Sequence, residues 1–182
     1  MRSLLTLVMG PFMLFAAALG TSAPAAAETP EVTIATFNAS LNRDGAGKLI
    51  DDLSTGDDEQ AQNVAETIQR AEADIVLVNE FDFDAEGKAV DLFRENYLNV
   101  SQNGAPTADY PYAWSGPVNT GVPSGFDLNN DGQIGGPDDA LGFGEFPGQY
   151  GFVVYSKHPI AEDQVRTFQN LSLIHISEPT RL

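Results

Sequence analysis

Apolar and polar positions along the first third of this chain predict a strand, a helix and a second strand. "EVTIATFNAS" is rich in β-branched and aromatic residues and predicts a strand from Val32 to about Phe37, ending on the polar Asn38. "DIVLVNEFD" carries an unbroken apolar run, Ile75 to Val78, which predicts a strand covered on both faces, yet it runs straight into Asn79 and Glu80. Between them Ala61, Val64, Ala65, Ile68 and Ala71 recur at helical spacing behind an acidic first turn, with Asp57 or Asp58 placed to cap it. A strand, a helix and a strand in this order form a βαβ unit whose two strands lie parallel. Their carboxyl ends then share one edge, the edge where open α/β sheets bind ligands, and Asn38 and Glu80 are expected close together there.

The intervening "LNRDGAGKLIDDLSTGDD" is polar and glycine-bearing and reads as a loop with a short helical turn around Leu49 to Leu53. "GKAVDLFRENYL" predicts a helix through Val90, Leu92, Phe93 and Tyr97. From Ser101 to Gly148 the chain is rich in glycine and proline, and a loop of that length within a domain is either functional or conceals elements of its own. Tyr110, Tyr112, Trp114, Phe126, Phe143 and Phe146 are scattered through it, and disordered linkers are poor in aromatics. "QYGFVVYS" predicts a strand from Phe152 to Tyr155, "VRTFQN" begins a further one, and no internal repeat is visible.

The two ends of the chain change the picture. Residues 1–27 join an early Arg2, an apolar segment from Leu4 to Leu19 and the small-residue run "APAAAE", the pattern of a secretory signal peptide cleaved between Ala27 and Glu28. The mature protein is therefore expected to be secreted or periplasmic, and no other segment is apolar enough to span a bilayer. "LSLIHISEPTR" resembles the translation of a transposon-end sequencing adapter, so residues 171–182 are expected to be non-native and His175 to have no catalytic role. The chain has no cysteine, so an exported domain would rest on its core, helped by bound metal. Its 26 acidic against 9 basic residues, net −17, oppose attraction to anionic membranes and to long nucleic acids and favour cations.

Two constellations carry candidate chemistry. The amide oxygen of Asn38 and the carboxylate of Glu80, at the tips of adjacent strands, form half of a site for a hard cation such as Mg²⁺, which takes one or two protein carboxylates and keeps waters for a phosphate to displace. "DLNNDGQIGGPD", residues 127–138, sets oxygens at the first, third, fifth and twelfth positions and glycine at the sixth, the spacing of a Ca²⁺ loop. Asp127, Asn129, Asp131 and Asp138 would ligate through side chains and Gln133 through its carbonyl, with Ile134 anchoring the loop. An aspartate in the last position is similar to the dockerin version of such loops.

Together "TIATFNAS", "DIVLVNEFD" and "QYGFVVYSKHPI" resemble the endonuclease/exonuclease/phosphatase superfamily over roughly Val32 to Asn170. The resemblance implies an α/β (α+β) fold, in full a two-sheet sandwich flanked by helices, of which this chain supplies mainly the first half. It implies Asn38 and Glu80 as ligands of a catalytic Mg²⁺ or Mn²⁺, Tyr150 facing the phosphate, and hydrolysis of a phosphate-ester substrate. His158 falls where the family tolerates aromatics and is expected to be a packing or surface residue. The family's later Asp–Asn and Asp–His motifs are missing from the chain, so it is expected to be inactive by itself. No protein partner is expected. The alternative reading is a noncatalytic, calcium-stabilised extracellular binding module.

Overall fold

The computed structural model describes residues 31–169, so the signal-peptide and adapter readings lie outside the described residues. Its strands, β1 (Ile34–Leu41), β2 (Ile75–Phe81), β3 (Tyr112–Trp114) and β4 (Phe152–Ser156), make one mixed sheet in the order β1-β2-β4-β3. β1 and β2 are parallel as expected, while β4 runs antiparallel to both β2 and β3. Between β1 and β2 lie α1 (Lys48–Leu53) and α2 (Glu59–Ala71). After β2 comes α3 (Lys88–Phe93), which widens into a π-helical turn over Arg94–Leu98.

The helices and the sheet share one core. Ala39, Leu41, Val76, Val78, Phe81, Val153 and Tyr155 from the sheet meet Leu49 and Leu53 of α1, Val64 and Ile68 of α2, and Phe93, Tyr97 and Leu98. Phe93 is the hub of the aromatic part: Phe81 meets it edge-on at 5.9 Å, Tyr97 stacks at 5.8 Å and Tyr155 lies at 6.1 Å. Such pairs add to the burial of their area by about 0.5–1.5 kcal/mol each.

α2 begins where Asp58 accepts the Ala61 amide at 2.7 Å and ends where Glu72 turns left-handed, φ 51°. Ala61, Val64, Ala65 and Ile68 are buried as expected, but Ala71, at the helix end, is exposed. Gln69 is buried in its stead. Its amide donates to the carbonyls of Leu98 at 2.9 Å and Val100 at 2.8 Å, and its oxygen accepts the Gln102 amide at 3.1 Å, so a polar side chain closes the far end of the helix interface.

Other expectations need correction. β2 is covered on one face only: Val76 and Val78 are buried, whereas Ile75 and Leu77 lie half-buried on the opposite face, beside an Ile34 that is 73% exposed. The cause is that the described helices pack against the same side of the sheet. β1 does not stop at Asn38 but runs on to Leu41. Within the glycine- and proline-rich stretch, Tyr112–Trp114 forms β3 at the sheet edge, and the rest folds back through bridges pairing Thr120 with Gly142 and Pro123 with Ala140. Gly121 is required in that fold, since a Cβ there would lie 1.8 Å from the Phe146 carbonyl oxygen. The strand expected from Val165 does not form. There Gln169 exchanges hydrogen bonds with Asn119 and Val118, groups of a neighbouring loop rather than a strand ladder. Among the described residues no helix is long and apolar enough to cross a membrane.

Candidate functional site

A slip in register builds the site. Asn38 pairs with Asn79 and Leu41 with Phe81, so between these pairs β1 spends Ala39 and Ser40 while β2 spends Glu80 alone. This is a β-bulge, rare between parallel strands, and such bulges re-aim side chains. In an uninterrupted pleat Glu80 would follow Val76 and Val78 into the core. Instead Glu80 adopts φ 56°, and Phe81 takes the core position that alternation would have given it. Across the strand Ser40 is also left-handed, φ 49°. Left-handed backbone at residues other than glycine costs of order 1–3 kcal/mol and gathers at functional sites.

The released carboxylate meets Asn38. The Asn38 amide donates to Glu80 Oε1 at 2.7 Å, the Ser40 hydroxyl donates to Oε2 at 3.3 Å, and Asn38 Oδ1 accepts the Ser40 amide at 3.2 Å. The sequence-predicted pair is thus brought together, and no ion pair among the described residues involves Glu80. A carboxylate ringed by neutral donors suits a hard divalent cation. A half-turn of the Asn38 amide sets its oxygen beside the carboxylate, so the donor set fits such an ion. Asn79 stands apart from the pair and donates to Thr36 Oγ1 at 3.2 Å.

Two residues beyond Glu80, and missed by sequence reasoning, Asp82 is 6% exposed. One of its oxygens accepts the Arg43 amide at 2.7 Å and the other the Tyr150 amide at 3.1 Å. Burial pushes its carboxyl above the ordinary aspartate value, and the two amides and the nearby Arg43 charge offset that in part. The Arg43 guanidinium turns away, to Asp52 at 2.5 Å and Asp58 at 3.4 Å. Gln149, also buried, donates to the Arg43 carbonyl at 2.6 Å and accepts the Glu145 amide at 2.7 Å. β2 itself continues past its end through Phe81 N to Gly151 O at 3.1 Å and Phe83 N to Gly148 O at 2.9 Å. A Cβ on Gly151 would lie 2.8 Å from the Phe81 oxygen, so only glycine lets the two backbones approach.

Tyr150, held at φ 56° between those contacts, packs its ring at 6.4 Å from Phe143. It lines a cleft of about 590 Å³ with Asn42, Arg43, Asp44, Asp52, Asp58, Gln60, Glu145 and Gln149. Asn38 and Glu80 do not line this cleft, so Tyr150 sits in a neighbouring hollow rather than against the pair. His158 follows the sheet, with its backbone amide donating to Ser156 Oγ at 3.0 Å.

The loop over residues 127–138 is organised, but by its own backbone. Asp127 accepts the amides of Asp131 and Gly132, Asn129 that of Asp131, and Asp131 that of Gln133. Asp138, expected to close the shell, is exposed; the buried carboxylate is Asp139, which accepts Leu128 N at 2.7 Å and Gly135 N at 2.8 Å. Those two amides hold its pKa below the ordinary value. Ile134 is 71% exposed and anchors nothing, because Gly135 and Gly136, both at positive φ, turn the chain so that Asp139 ties the loop instead. Among the described residues no three Asp, Glu, His or Cys side chains converge as a ligand set.

The model of the Endonuclease/Exonuclease/phosphatase family matches residues 35–181. A match over more than half of the chain places it, and this protein belongs to the endonuclease/exonuclease/phosphatase family. The family's members hydrolyse phosphoester bonds, typically with divalent metals, and its mixed α/β fold agrees with the sheet and helices described. No curated protein and no solved structure matches the chain.

Proposed function

We propose that this chain carries the metal-holding edge of an exported, divalent-metal-dependent phosphoesterase. The observation that supports this most directly is the contact between Asn38 and Glu80 at 2.7 Å, created by a bulge and, among the described residues, free of any ion-pair partner. Asn38 and Glu80 would hold Mg²⁺ or Mn²⁺, and the ion when bound would offset charge on the phosphoryl oxygens and lower the pKa of a water. Ser40 keeps the Glu80 carboxylate turned toward Asn38. Tyr150, from its hollow beside the pair, would face the phosphate or the group attached to it. The residues around that hollow are largely acidic, Asp44, Asp52, Asp58 and Glu145, with Arg43 already paired. A small phosphate ester suits such a rim better than a long polyanion.

The loop over residues 127–138 completes this reading as a structural Ca²⁺ site. Asp127, Asn129, Asp131 and the Gln133 carbonyl would be its protein ligands, with Asp139 rather than Asp138 holding the loop to its own backbone. Residues 1–27 would direct export to the periplasm or the medium, where a domain with no cysteine to form a disulfide gains from a bound ion.

Titration calorimetry with Mn²⁺ tests the central claim. The wild-type chain binds, and Glu80→Gln loses at least the 10–100-fold in affinity that even a residue supporting a metal ligand typically commands. Equal binding by the two proteins would sink the reading. In a chain that also carries the later family motifs, a chelator stops hydrolysis of a phosphodiester and added Mg²⁺ or Mn²⁺ restores it.

A further inference from the structure

We propose that Asp82 is a positioning residue for the metal pair, acting as a clamp that forces Glu80 out of the core and toward Asn38; this rests on the metal reading of that pair. A carboxylate more than nine-tenths buried is costly unless its oxygens are satisfied. Here each oxygen takes one backbone amide, and each amide belongs to a different segment: Arg43 in the loop leaving β1 and Tyr150 in the loop entering β4. Asp82 therefore joins the exits of β1 and β2 to the entry of β4 at one point. Gln149 repeats the tie, from the Tyr150 side to the Arg43 carbonyl at 2.6 Å.

The clamp explains why the strain at Glu80 persists. Ser40, Glu80 and Tyr150 are the left-handed residues flanking its attachment points, and relaxing any of them to an extended strand would move the Arg43 amide, the Tyr150 amide or Asp82 itself out of reach. Without it Glu80 could fall back into the pleat, where alternation would send it beneath the helices. Among the described residues no cation pairs with Asp82: the Arg43 side chain is committed to Asp52 and Asp58. Amides alone hold the carboxylate, and they do so in a fixed direction that a mobile ion pair would not impose.

The test uses the full chain with Asp82→Asn, which can accept one of the two amides but presents its own NH₂ to the other. Two signals are read well below the melting temperature: Mn²⁺ affinity, from paramagnetic broadening of the Asn38 side-chain amide, and the position of that amide resonance in chelator. The clamp predicts about tenfold weaker Mn²⁺ binding, within the range for supporting residues, and an Asn38 amide shifted toward its free position. A lower melting temperature with both signals unchanged would show Asp82 to be structural only and overturn the proposal. Should Asp82→Asn not fold, Gln149→Met removes the parallel tie and is expected to weaken Mn²⁺ binding about threefold; unchanged affinity there counts against the clamp equally. Glu80→Gln titrated alongside separates the two ideas. If it binds Mn²⁺ as tightly as wild type the metal reading fails, while the Asn38 resonance in metal-free Asp82→Asn still decides whether the clamp exists.

Discussion

Strand β2 is tied down by an aspartate at each end, and the two ties are built on opposite principles. At the amino end Asp74 accepts the Thr33 amide at 2.9 Å and the Thr33 hydroxyl at 2.8 Å, and Lys157 reaches it at 3.1 Å. The Thr33 amide above all, then its hydroxyl and Lys157, pull the Asp74 carboxyl down from 3.8 to about 2. At the carboxyl end Asp82 has amides and, among the described residues, no ion-pair partner, and burial pushes its carboxyl up. Near Asp74 the one left-handed residue is Glu72, which ends α2; around Asp82 three are left-handed, Ser40, Glu80 and Tyr150. One end is arranged to be stable. The other keeps a strained carboxylate, Glu80, in place and available.

The largest test of that contrast is Phe81→Ala. Phe81 is fully buried and occupies the core position from which Glu80 was displaced, so its loss is expected to cost about 3–5 kcal/mol in urea unfolding. Ile75→Ala at the other end, half-buried, is expected to cost about 1–2 kcal/mol. Equal costs would mean that the bulge does not depend on Phe81.

Next in size is Glu80→Gly. It removes the carboxylate, with a fall in Mn²⁺ affinity of at least the order of 100-fold. In chelator it should stabilise the fold by about 1 kcal/mol, since glycine relieves the left-handed backbone. A loss of stability without metal would show that Glu80 is not strained. Glu72→Gly, left-handed too but at the end of α2, is the smaller control, expected to gain about 0.5–1 kcal/mol and leave Mn²⁺ binding alone.

The smallest effect concerns Asp74, whose carboxylate is partly open to water. Its folded pKa lies below the unfolded value, so its contribution is present above about pH 4 and disappears as the pH falls toward 2. Melting temperatures of Asp74→Asn should fall below wild type at neutral pH and converge with it in acid. A gap that persists at pH 2, or that survives 1 M salt without narrowing, would mean that packing rather than charge holds that end.

Much of the fold was legible because local patterns and global packing agree. The α2 stripe of Ala61, Val64, Ala65 and Ile68, the Asp58 cap and the β-branched runs of β1, β2 and β4 all follow from periodicity, and the order strand, helix, strand made β1 and β2 parallel. Gln69 and Tyr112–Trp114 were not legible, since a buried amide and a short edge strand are defined by partners far along the chain. Asn38 and Glu80 were found from strand polarity, but Asp82, Ser40 and Gln149 were not. One trace of them was in view: after Val76 and Val78 the next buried apolar residue is Phe81, an odd step that breaks the period of two. In the loop over residues 127–138, spacing pointed to Asp138 and Ile134, whereas two left-handed glycines hand the buried position to Asp139.

Taken alone, the sequence determined α2 and the strands β1, β2 and β4, and that β1 and β2 end side by side, because period and composition act within a few residues. Only the tertiary structure decided where Glu80 points. That direction depends on a register difference of one residue between paired strands, held by hydrogen bonds to Arg43 and Tyr150 from segments distant in the chain, and no local pattern encodes such a balance.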